Sequence, residues 1–243
     1  ADEYANEITR FGHWKDTAIM LKGDAVQSFT MLFLEMWAVN QMEPADCQNY
    51  LTPKHVVPDP PHGYVIPYGD HPYDNENVGE EVYFHILNHS KKYVHIMTPY
   101  LILDSEMITA LTRAAKSGIE VIIIMPHIPD KWYAFVLAHT YYKELIQAGV
   151  SIYEYTPGFV HAKVFVSDDD TATVGTINLD YRSLYLHFEC GAYIYDHPVV
   201  ADIEQDFQET LKKCQKISLT EVENRPVTYK VMGQILRLIA PLM

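Results

Sequence analysis

His161-Ala-Lys163-Val-Phe-Val-Ser-Asp168-Asp-Asp-Thr-Ala-Thr-Val-Gly175-Thr176-Ile-Asn178 is the stretch that decides the fold of this chain. Its fixed places are H-x-K, four residues, D, six residues, then G-T-x-N. Val164, Phe165 and Val166 are β-branched or aromatic, which predicts a strand. On a strand, His161 and Lys163 stand two apart and face one side. A nucleophilic imidazole and a fixed ammonium on one face, followed by a glycine turn carrying a hydroxyl and an amide, suit the handling of a phosphate. A solvated histidine and a surface lysine would account for H-x-K alone. Six fixed places within 18 residues would be a rare coincidence.

Outward from this stretch, strands and helices alternate. Helices are predicted near 76–90, 105–117, 130–148 and 199–214. Strands are predicted at Val94–Thr98, Glu120–Met125 and about 150–155, 160–167, 171–175 and 189–195. Gly118 and Gly149 stand where a helix end needs a residue tolerant of positive φ. The alternation argues an α/β fold, a layered sheet with helices packed on it. Earlier in the chain, Asp16 to Leu21 reads as a strand, and Asp24 as the N-cap of a helix reaching about Trp37. Residues 44–62 hold Pro44, Pro53, Pro58, Pro60 and Pro61 without periodicity, the mark of a linker. Three parts follow: 1–43, a linker at 44–62, and a main domain at 63–243.

Composition narrows the function. The chain has 243 residues, 48% of them hydrophobic, enough for a sizeable core. No run of 18 apolar residues exists, so no membrane-spanning helix is expected, and no secretory leader opens the sequence. Cys47, Cys190 and Cys214 lack C-x-x-C spacing and suggest neither a zinc site nor a disulfide framework. Eighteen basic against 32 acidic residues give a net charge of −14, which disfavours nucleic-acid binding and simple electrostatic docking on an anionic membrane. Lipid contact must then be local and apolar. His85, His89 and His95 are spread over a helix and a strand, so neither a metal nor another cofactor is implied.

The 161–178 pattern resembles the HKD motif of the phospholipase D superfamily. Gly175-Thr-Ile-Asn-Leu-Asp-Tyr-Arg-Ser-Leu-Tyr-Leu-His-Phe-Glu189 is similar to the second such motif of bacterial cardiolipin synthases. So are Thr98-Pro-Tyr-Leu-Ile-Leu-Asp104, Tyr153-Glu-Tyr155 and Arg237-Leu-Ile-Ala-Pro-Leu-Met243. His187 departs from the family, which usually has Asn there. The resemblance covers essentially the whole chain and implies a phospholipase D-like mixed sheet flanked by helices. Ala1-Asp-Glu-Tyr-Ala-Asn6 and Lys15-Asp-Thr-Ala-Ile-Met-Leu-Lys-Gly23 are similar to the segment just after the family's first motif. On this resemblance 1–43 is a remnant of the first half, and the active site needs a second histidine from a missing N-terminal half.

The activity so implied is phosphatidyl transfer: cardiolipin formed at the membrane of a bacterial cell from two phosphatidylglycerol molecules, through a phosphohistidine-type intermediate. The alternatives are a phospholipase D or other phosphodiester hydrolase, and a non-catalytic interaction module of the same fold. His161 would be nucleophile or general acid/base, with Lys163, Thr176 and Asn178 on the phosphate oxygens. A catalytic histidine needs a carboxylate on its other ring nitrogen. Asp168 is the D of the motif and by the resemblance is grouped with the catalytic residues His161, Lys163, Asn178, Glu189 and Asp16, although its place along the strand suggests a structural role. Glu189 opens an apolar strand and would serve the absent histidine, leaving Asp16 for His161. Finally, Val231, Ile235, Leu238 and Leu242 recur at helical spacing between Val227 and Met243. That helix either packs on its own domain or dips into a membrane surface.

Overall fold

A computed structural model describes residues 1–41, 47–51, 62–73 and 75–242. Its centre is the apolar trio of parallel strands β3 (Tyr93–Met97), β4 (Glu120–Pro126) and β5 (Ser151–Tyr155). Parallel neighbours need long crossovers. These are helix α3 (Ser105–Lys116), capped by the Asp104 side chain on Met107 N, and helix α4 (Trp132–Ala148), closed by Gly149 at φ +105°. On the other side of β3 the sheet turns antiparallel. β7 (Val164–Ser167) pairs with β3, then come β8 (Thr171–Gly175), β9 (Glu189–Tyr195) and the edge strand β2 (Tyr64–Asp70). β10 (Cys214–Lys216) closes the opposite edge on β5, giving eight strands.

Each face of the sheet carries its own core. On one, Ile96, Ile123, Ile152 and Phe165 meet Tyr83, Leu87, Leu111 and Leu137 from α2 (Val78–His89), α3 and α4. On the other, Ile124, Val164, Val166 and Ile194 meet Val200, Ile203 and Phe207 of helix α6 (Val199–Leu211). This is the expected mixed α/β sheet flanked by helices. The carboxyl ends of β3 and β4 lie at the same end of the sheet as the start of β7, the end of β8 and the region where β9 begins. Open α/β sheets bind ligands at that end.

Several boundaries differ from the sequence expectation. Asp16–Leu21 is not a strand; β1 is His13–Lys15, and it pairs in parallel with β6 (Gly158–Val160) in a separate two-stranded sheet. Nor is 160–167 one strand. β6 belongs with β1 and β7 with the main sheet, so the chain leaves regular structure at His161–Lys163 as it passes between them. The strand alternation invoked for His161 and Lys163 therefore does not operate. The helix expected to reach 214 stops at Leu211, and Cys214–Lys216 turns back as β10. Strand β2 was not anticipated; Pro67 is tolerated within it because β2 is an edge. Helix α1 is Ala25–Gln41 and lays Leu32 over Gly69 of β2, where a β-carbon would come within 2.5 Å of the leucine. The Pro-rich linker falls largely outside the described residues.

Candidate active site

The site begins with a backbone register. Asn6, at φ +61°, accepts from Trp14 N with its side-chain carbonyl (2.6 Å) and donates to Trp14 O (3.0 Å), fixing β1. β1 pairs Lys15 with Val160, and His161 N donates to Lys15 O at 2.7 Å. One residue beyond that register, Asp16 stands beside His161. Asp16 Oδ2 is 3.0 Å from His161 Nδ1, inside the 3.5 Å reach of a hydrogen bond. A carboxylate only accepts, so Nδ1 carries a proton toward Asp16, which turns Nε2 outward as the atom that can take or give a proton or attack. Burial pushes the Asp16 carboxyl up, but the hydrogen bond and charge of His161, with Lys163 behind, outweigh it and hold the group below its usual value. Trp14 and Phe159 wall the imidazole, with ring centres 4.9 and 6.1 Å away.

Lys163 is 7% exposed, and its Nζ donates to His161 O. Two of its three donors have no protein acceptor among the described residues. Burial draws its pKa down to about 8, against the charges of Asp16, Glu189, Asp180 and Asp130. The charges of Asp16 on one side and Glu189 on the other thus both act on Lys163.

On the Glu189 side, Asn178 Nδ2 donates to Ser183 Oγ (2.9 Å), and Ser183 Oγ donates to Glu189 Oε1 (2.8 Å). Thr176 Oγ1 donates to Glu189 Oε2. Thr176 and Asn178 are therefore engaged in ordering Glu189. Asn178 Oδ1 is buried and has no donor among the described residues. His187 Nδ1 is 3.6 Å from Glu189 Oε1, whereas His161 is held by Asp16.

Asp168, grouped with the catalytic residues from the motif, is not part of this site. It sits past the far end of β7 at φ +56° and accepts from the backbone N–H groups of Lys91, Lys92 and Tyr93 at 2.6–3.0 Å. It ties the β7–β8 turn to the start of β3, a structural task. Asp180 and Asp130 were missed. Asp180 caps helix α5 (Tyr181–Tyr185) by accepting from Ser183 N, and Asp130 accepts from Tyr100 Oη at 2.6 Å. The N-cap spacing Asp180-Tyr-Arg-Ser183 was a usable signal; nothing local marks Trp14. The Thr98–Asp104 stretch lines the site because Leu101 bridges Leu179 and Ile102 N donates to Leu179 O. Concavities of about 320, 300 and 420 Å³ border Asp16, Glu189 and Asp180 respectively. No three His, Cys, Asp or Glu side chains converge as metal ligands among the described residues.

The family description "cardiolipin synthase, PLD-like domain" matches residues 83–211, more than half of the chain, and the chain belongs to that family. Among similar proteins, an uncharacterized protein of Streptococcus mutans is 54% identical over all of this chain and 52% of its own length. Cardiolipin synthase 2 of Bacillus anthracis is 36% identical over the whole chain and 47% of its length. Cardiolipin synthase of Geobacillus kaustophilus is 34% identical over the whole chain and 48% of its length. The chain thus spans about half the length of the curated relatives it matches. Among solved structures, phosphatidylserine synthase of Haemophilus influenzae shares the fold over 79% of this chain and 50% of its own (TM-score 0.60, 18% identity). Nuc of Salmonella typhimurium, a phospholipase D family member, shares it over 64% of this chain and 99% of its own (TM-score 0.55, 16% identity).

Proposed function

We propose that this chain is the second half of a phosphatidyltransferase that makes cardiolipin from two molecules of phosphatidylglycerol. The observation that carries the reading is the His161–Asp16 pair beside the buried Lys163 ammonium, which donates to His161 O. In the reaction one histidine attacks the phosphorus of phosphatidylglycerol, the P–O bond to the head-group glycerol breaks, and the other histidine gives that oxygen its proton. The second histidine then takes a proton from a hydroxyl of another phosphatidylglycerol; the new P–O bond forms as the P–N bond breaks. His161 is one of the two, and the other comes from a half that precedes this chain. Lys163 balances charge on the non-bridging oxygens, while Thr176, Asn178 and Ser183 hold Glu189 ready for the second histidine.

The test is a protein carrying both halves, given phosphatidylglycerol and followed by lipid mass spectrometry. Cardiolipin and glycerol are the expected products, and His161→Ala should abolish both. Phosphatidic acid as main product would make the enzyme a hydrolase, with water as acceptor. Full turnover by His161→Ala would remove His161 from the chemistry.

A further inference from the structure

We propose that helix α8 (Val227–Leu238) is an interfacial helix that seats this domain on an anionic phospholipid bilayer. Its inner side is fixed on the protein. Gly233 lies so close to α4 that a β-carbon would meet Thr140 Cγ2 at 2.6 Å, and Leu236 is buried. Tyr229 Oη shares a hydrogen bond with His139 Nδ1, and Arg237 lies 4.4 Å over the Tyr141 ring. The outer side is apolar and bare. Val227, Val231, Ile235, Leu238 and Leu242 are 74, 53, 54, 83 and 78% exposed. The spacing of three and four places Val227, Val231, Ile235 and Leu238 on one stripe of α8, and Leu242 lies just past it on the 3₁₀ turn Ala240–Leu242. Single exposed apolar residues are ordinary, but a continuous row marks a surface that meets something apolar.

Charge decides what that something is. In a chain of net charge −14, the residues from Arg225 onward hold Arg225, Lys230 and Arg237 and no acid; Arg225 and Arg237 lie 3.9 Å from Glu154 and Glu144 on the inner side, and Lys230 donates to Glu223 O. An apolar stripe with Lys230 beside it, and Lys131 and Arg182 lining the neighbouring concavity, suits the boundary between acyl chains and anionic head groups. Exposed Trp132, at the start of α4, belongs to the same rim. Between α8 and the site opens the 420 Å³ concavity, lined among others by Tyr100, Lys131, Trp132, Arg182, Leu236 and Leu242. Asp180, whose charge acts on Lys163, also lines it. A head group leaving the bilayer beside α8 would meet Lys131 and Arg182 on its way to Lys163. No helix among the described residues is long and apolar enough to cross a membrane, so this contact lies in the surface plane.

This inference rests on the lipid-substrate reading, and its test does not use turnover. The chain is sedimented with phosphatidylglycerol vesicles and with phosphatidylcholine vesicles, beside the triple variant Val231→Ser, Ile235→Ser, Leu238→Ser. These side chains are exposed, so the melting temperature should not fall. The expected result is binding to phosphatidylglycerol vesicles, weaker binding to phosphatidylcholine, and a partition coefficient lowered about tenfold or more in the triple variant. Equal partitioning by variant and parent overturns the proposal. So does a parent chain that ignores vesicles but dimerises through the stripe, with the variant monomeric. His161→Ala should bind vesicles like the parent, so a failed activity assay leaves the docking result standing on its own.

Discussion

Asp16 and His161 are 145 residues apart in sequence and 3.0 Å apart in space. Their meeting depends on a three-residue parallel strand pair, β1 on β6, that lies outside the main sheet. A short structural device thus sets the protonation geometry of the candidate catalytic histidine. Lys15 Nζ adds a 2.8 Å ion pair to Asp206 on α6, fastening the residue next to Asp16.

Replacing Asp16 by Asn tests the pair directly. The amide is nearly isosteric, but it can donate to Nδ1 and so favour the wrong ring tautomer. In a protein with both halves, turnover should fall by roughly two to four orders of magnitude with little change in melting temperature. A nitrogen-15 spectrum of the His161 ring should report the tautomer change independently of turnover. Unchanged turnover would leave Asp16 a surface acid that happens to lie close.

Gly158→Ala addresses the delivery device. A β-carbon at Gly158 would sit 2.4 and 2.5 Å from His13 N and O and 2.6 Å from Phe11 O. These are backbone atoms and cannot step aside, so β1 must lift off β6. Because the eight-stranded sheet does not include these strands, the variant should fold, keep its far-ultraviolet spectrum, and lose activity to about the level of Asp16→Asn. Wild-type turnover in a folded Gly158→Ala protein would show that the β1–β6 register is dispensable.

Lys163→Met separates function from stability. Burial holds the Lys163 ammonium down to about pKa 8, so near pH 7 the fold carries a cation it disfavours. In the unfolded chain the group titrates near its ordinary value of 10.5. A lowered folded pKa means the unfolded state binds more protons between about 8 and 10.5, and this group's contribution to stability rises with pH across that window. Methionine removes the desolvation cost at similar volume. The variant should melt no lower than wild type near pH 7, yet transfer should be lost with the phosphate's cation. A drop of many degrees in calorimetry would mean that the ammonium anchors the fold instead of serving substrate.

The order of the central strands and helices was legible because those elements have long apolar periods and glycine stops. The break at His161–Lys163 was not: Val160, Ala162 and Val164 alternate as one strand would, and only pairing with the distant β1 divides them. β2 was hidden by Pro67, and β10 by being three residues of an edge. In the site, His161, Lys163 and Glu189 stood out by residue type and spacing. Asp16 was legible as the partner of His161 only through the family resemblance, and the two are 3.0 Å apart; the places of Trp14 and Asp130 depend on contacts across tens of residues or more that no local pattern encodes.

The buried acids Glu80 and Asp104 supply the last prediction. Asp104 caps α3, and the Tyr185 hydroxyl at the end of α5 bonds to both carboxyls, so three helices meet at this pair. Burial and then the neighbouring Asp104 raise the Glu80 pKa from 4.5 to about 8, against the hydrogen bond from Tyr185. A carboxyl whose folded pKa is raised stabilises the fold fully below its unfolded value, and that stability is lost as pH climbs through the folded value. Melting temperature should therefore decline between about pH 5 and pH 8.5 as the pair becomes doubly charged. Glu80→Gln, a permanent stand-in for the protonated acid, should melt close to wild type at the lower pH and above it at the higher. Parallel declines in the two proteins, measured by calorimetry across that range, would show that Glu80 is already ionised at neutral pH and that the helix junction tolerates both charges.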